Sequence, residues 1–99
     1  MIKLEPSRIV TLRGKPGETK SVDLLISAGL DKPLKIEPGE FILEGKVIYA
    51  LEEVEEGKQY KITFKNNPDV SGNFSGDLRF GTNYKEKPEI KIRIYSRFN

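Results

Sequence analysis

Between Gly72 and Ile94 the chain alternates apolar and polar residues twice, on either side of one polar loop. Phe74, Leu78 and Phe80 share a face with Gly76, while Ser75, Asp77 and Arg79 take the other. Ile90, Ile92 and Ile94 repeat the pattern after Pro88. A period of two belongs to a half-buried antiparallel strand and is incompatible with a helix. The stretch predicts the closing strand pair of an all-β domain, with the rest of the chain supplying strands to pack on it.

The remaining segments read the same way. Ile2–Leu12 is a first strand interrupted at Glu5-Pro6-Ser7, which suits a sheet edge. Arg13–Glu18 is a turn cluster, and Thr19–Ser27 a second strand with Val22, Leu24 and Ile26 inward and Leu25 on the outer face. Pro33–Glu37 reads as a short third strand ended by a turn at Pro38-Gly39. Val47–Glu55 is ambiguous, because Val47, Tyr49 and Leu51 alternate with apolar Ile48 and Ala50; a short helix competes with a strand there, and its β-forming residues favour the strand. Gln59–Lys65 alternates cleanly, with Tyr60, Ile62 and Phe64 inward. About seven short strands at roughly ten-residue spacing predict an Ig-like antiparallel β-sandwich with Greek-key connections. No disulfide can form, since the chain has no cysteine.

At 99 residues the chain is the size of one domain, 1–99. It begins almost on a strand and ends shortly after one, as a domain excised from a longer protein would. Without cysteine or histidine, thiolate nucleophiles and imidazole bases are excluded, and zinc chemistry loses its usual ligands. Neither a catalytic set nor a cofactor or metal site is expected. Glu52, Glu53, Glu55 and Glu56 form an acidic cluster read as a solvated hairpin end, because four Glu around one Val do not supply calcium geometry. Asn66, Asn67, Asp69, Ser71 and Asn73 read as turn formers, and Thr82-Asn83 as side chains that hydrogen-bond their own loop. Charged residues make up 32% of the chain but the formal net charge is only +2, which gives no strong pull toward nucleic acid. No apolar run reaches membrane-spanning length.

From Arg79 onward six basic residues face two acidic ones, a local balance of +4. Lys85, Lys87, Lys91, Arg93 and Tyr95 are therefore the candidate interaction edge, with Tyr84 close enough to join it. If the last strand lies at a sheet edge, Lys91 and Arg93 guard that edge against aggregation or offer it to a partner.

The residues Gly72-x-Phe74-x-Gly76-x-Leu78-x-Phe80-x-Thr82-Asn83, followed by Pro88-x-Ile90-x-Ile92-x-Ile94, resemble the C-terminal signature of a bacterial Ig-like family named domain of unknown function 1573. That family is similar to the major sperm protein and PapD-like Ig folds. The resemblance covers about the last quarter of the chain, with a looser match at Pro33-Leu34-Lys35-Ile36. It implies a periplasmic, envelope or extracellular setting within a larger protein, and lends no activity. The expected function is a non-catalytic structural or protein-interaction module, monomeric in isolation, that binds through a free sheet edge, that of the first or the last strand. The competing expectation is a module for carbohydrate or polyanion, such as an anionic glycan, on the basic face.

Overall fold

The computed structural model describes residues 2–29 and 31–99. Among the described residues there are eight strands: β1 (Lys3–Glu5), β2 (Ile9–Gly14), β3 (Ser21–Ser27), β4 (Ile36–Phe41), β5 (Val47–Glu55), β6 (Gln59–Asn66), β7 (Gly72–Thr82) and β8 (Glu89–Phe98). They form two four-stranded sheets, ordered β1-β3-β6-β5 and β2-β8-β7-β4. All pairings are antiparallel except that of β2 with β8. The described residues contain no helix, so Val47–Glu55 is a strand throughout.

The inward positions of the alternating runs build one core between the sheets. Leu24 and Ile26 of β3 and Ile62 and Phe64 of β6 meet Leu78 and Phe80 of β7 and Ile90, Ile92 and Ile94 of β8. Each of these side chains is essentially inaccessible to water. Burying one of them stabilises the fold by about 1.5–3 kcal/mol.

Three boundaries differ from the sequence expectation. The interrupted first strand becomes two strands in different sheets: Pro6 lies where the chain leaves β3's side and crosses to β8, which raises the count from seven to eight. The last strand continues past Ile94 to Phe98, because Ser96 and Phe98 remain buried on its inner face. Pro38-Gly39 is not a turn; it sits inside β4 at a register shift between Pro38 and Phe41. Asn83 N donates to Lys35 O at 3.2 Å. Alternation from that pair turns the Pro38 nitrogen away from β7, where its missing proton costs no ladder bond. Gly39 is needed because a Cβ there would stand 2.9 Å from the Arg79 carbonyl oxygen.

Candidate functional site

The strand that carries the expected basic edge lies inside its sheet. β7 pairs with β8 from Gly72 to Gly81, and β2 covers the other side from Arg93 to Phe98. Only the start of β8, at Glu89–Ile92, lacks a β2 partner. Lys85 and Lys87 stand in the β7–β8 loop, whereas Lys91, Arg93 and Tyr95 follow one another on the outer face of β8. The five residues therefore do not form a single edge.

On that face the cations are largely occupied. Asp77 of β7 is only 8% exposed, because Lys91 Nζ and Arg93 Nη1 lie over its carboxylate at 3.6 and 3.3 Å. Arg93 also donates to Ser75 Oγ at 3.4 Å, and Arg79 faces Glu89 at 3.8 Å. The Arg93 and Arg97 guanidiniums flank the Tyr95 ring at 5.4 and 5.8 Å. The concavity beside them, lined by Asn73, Phe74, Ser75, Tyr95 and Arg97, holds only about 120 Å³. That is well under the roughly 300 Å³ at which small-molecule pockets begin. Tyr84 does not join this surface. It is buried, and its hydroxyl donates to Lys32 O at 2.6 Å.

The loop polars act as ties between segments. Asn83 Oδ1 accepts from Lys35 N at 2.8 Å while its amide donates to Pro33 O at 2.9 Å, so it pins the start of β4 to the end of β7. Thr82 Oγ1 accepts from Tyr84 N and donates to Lys87 O, closing the loop. Asn66 lies in β6 rather than a turn, and is buried where it bonds Lys20 N and Glu18 O. Among the described residues no group of three or more acidic side chains gathers to hold a metal.

An unpaired surface lies at the edge of the other sheet, on β5. Asn67 N donates to Lys46 O at 3.0 Å, which sets the phase of the β5–β6 ladder. Ile48, Ala50 and Glu52 direct their backbone groups at β6, so those of Tyr49 and Leu51 point out of the sheet. Among the described residues no further backbone or side-chain group bonds them there. β4, the neighbouring edge of the other sheet, joins β5 through the turn at residues 42–46. Between the two strands opens a groove of about 330 Å³ lined by Gly39, Phe41, Glu44, Gly45, Val47, Ile48 and Tyr49.

Aromatic rings floor this groove. Phe41 meets Tyr49 edge-on at 5.1 Å, and Tyr49 meets Phe80 edge-on at 5.9 Å. Burial, and secondarily the charge of Glu44, hold the Tyr49 phenol above its ordinary pKa, so it stays protonated. Ile48, which lines the groove, is 56% exposed; Ile42 in the turn and Val54 further along β5 are 56% and 50% exposed. The sequence signal for this edge was the run Val47–Leu51, apolar on both faces. A central strand covered on both sides has the same pattern.

No protein-family model matches the chain, and no curated protein matches it in sequence.

Proposed function

We propose that the chain is an Ig-like β-sandwich with Greek-key connections that serves as a non-catalytic protein-interaction module, binding an extended segment of a partner by strand addition. The strand orders support the Ig-like reading. β1, β3, β6 and β5 take the places of strands A, B, E and D, and β4, β7 and β8 those of C, F and G, with β2 added beside G. The Gly72–Ile94 resemblance supports the same reading and carries the bacterial envelope or extracellular setting with it.

The observation that carries the binding mode is the free edge of β5. Strand addition needs a row of unpaired main-chain groups beside pockets for alternate side chains, and Tyr49–Leu51 beside the β4–β5 groove has both. The other edges offer less. β1 is three residues long, β4 is interrupted by Pro38 and its bulge, and β2 is shorter than β5.

A random linear-peptide library selected on the immobilised domain tests the reading. Selected peptides should perturb the Tyr49 and Leu51 amides most, and Leu51→Pro should abolish their binding where Leu51→Ala retains it. Both substitutions remove the same side chain, but only proline removes the outward N–H. Selected peptides that map to another surface, or that bind the two variants equally, would reject strand addition at β5.

A further inference from the structure

The geometry points to the class of segment the β5 edge accepts: an extended chain in which apolar residues alternate with lysine or arginine. This inference rests on the strand-addition reading above and adds a charge requirement to it.

Residues 36–56, which span β4, its turn and β5, hold Glu37, Glu40, Glu44, Glu52, Glu53, Glu55 and Glu56 against the single cation Lys46, a balance of −6. The whole chain carries +2, so the rest of the molecule is strongly basic by comparison. Among the described residues only Glu55 of these seven makes an ion pair, with exposed Lys58 at 3.7 Å. Lys61 stands opposite Glu52 in register but turns to Asp23 at 3.9 Å. Lys46 lies over the Phe74 ring at 5.2 Å, away from the groove. Around Asp77 acid and bases neutralise each other; among the described residues Glu44, Glu52 and Glu56 beside β5 have no ion-pair partner.

A strand laid along Tyr49–Leu51 would drop alternate side chains into the groove beside Phe41 and Tyr49 and place the others next to Ile48, Ala50 and Glu52 on the outer face. Glu44 stands at one end of this track and Glu52, Glu55 and Glu56 at the other. Cross-strand pairs of opposite charge are favourable and like charges opposed are not. The same carboxylates weigh against a second copy of the chain as occupant, because antiparallel β5–β5 pairing would bring two sets of acids together. The acids thus repel self-pairing and select a basic partner.

Two acetylated nonapeptides test this on the intact chain, one alternating Val with Lys and the other Val with Glu, with affinities measured at low and high salt. The Lys peptide should bind at least about tenfold more tightly at low salt and lose most of that advantage at high salt. The double variant Glu52→Lys/Glu55→Lys should reverse the preference. Equal affinities, or no detectable binding by the Lys peptide, would overturn the charge requirement. Binding that discriminates Leu51→Pro from Leu51→Ala but ignores charge would retain strand addition and reject this inference alone. Self-association in sedimentation that Leu51→Pro removes would assign the edge to a second copy, and so overturn it too.

Discussion

The two lateral sides of the molecule are closed by different means. On one side a single run of chain serves both sheets: β1 pairs with β3, Pro6 and Ser7 cross over, and β2 pairs with β8. Each edge strand there is short, so little main chain is exposed for long. On the other side β4 and β5 belong to different sheets and are joined only by the 42–46 turn. Contact between Phe41 and Tyr49 rings spans that gap where backbone pairing does not. β1 and β2 also have one unpaired side each, but over only three and six residues, whereas β5 offers nine residues beside an open groove. The position of the candidate site follows from this difference.

The largest test of the comparison uses the core residue under each side. Phe80→Ala should cost about 3–5 kcal/mol, and Leu12→Ala about 2–5 kcal/mol, in denaturant unfolding. Both residues are fully buried. Such losses are a large share of a typical net stability of about 5–15 kcal/mol. If Phe80→Ala behaved like a surface change, the aromatic floor would not be closing the open side.

Next in size is Gly76→Ala. A Cβ at Gly76 would lie 3.0 Å from Leu43 Cγ and 3.3 Å from Ile42 Cβ, so the turn that links β4 to β5 must shift. Overpacking of this kind costs about 1–3 kcal/mol, and the shift should appear as amide perturbations in residues 41–49. Wild-type stability with an unperturbed turn would mean that the link is loose. Phe41→Leu, which keeps an apolar side chain but loses the edge-on contact with Tyr49, should cost about 0.5–1.5 kcal/mol.

Much of this architecture was legible in the sequence. The phase of alternation in Gly72–Ile94 gave the buried set of β7 and β8 correctly, since a period of two leaves only one way to bury Leu78, Phe80, Ile90, Ile92 and Ile94 together. Neighbour relations were not legible. Nothing in Lys91 and Arg93 distinguishes an edge strand's charges from those of a central strand with a solvated outer face, and only the parallel pairing with β2 decides it. Pro38-Gly39 failed for a related reason: a Pro-Gly pair marks a turn or a bulge on an edge, and local sequence does not choose. Asn66 looked like a turn residue because its role is long-range, its side chain bonding Lys20 and Glu18 far back in the chain.

The acid cluster offers a pH test of the hairpin that ends β5. Glu53 Oε2 accepts from Gly57 N at 3.0 Å. That bond first, and the nearby Tyr60 hydroxyl second, hold the Glu53 carboxyl below the ordinary carboxylate range. A depressed folded value means that its stabilisation is complete above the unfolded carboxylate pKa. It is lost as pH falls through the folded one. Glu53→Gln should therefore shallow the acid limb of a urea-midpoint profile without changing the core. Parallel profiles for the two proteins would show that the charge on the Glu53 carboxylate contributes nothing to the hairpin.

The smallest expected effect lies on the self-neutralised face and separates it from the β5 edge. Arg79 is paired with Glu89 at 3.8 Å, but both side chains are about half exposed, where solvent screens the attraction. Its Nε is buried with no partner among the described residues, so truncation also removes an unsatisfied donor. The two effects oppose each other, and Arg79→Ala should change stability by under about 0.5 kcal/mol. It should also leave affinity for the Lys-containing peptide unaltered, since Arg79 pairs with Glu89 on the outer face of β7, with β4 between that strand and the β5 groove, and Glu89 is the carboxylate it frees. A loss above about 1 kcal/mol would make this ion pair part of the fold. A gain in peptide affinity would move the acidic recognition surface from β5 to the outer face of β8.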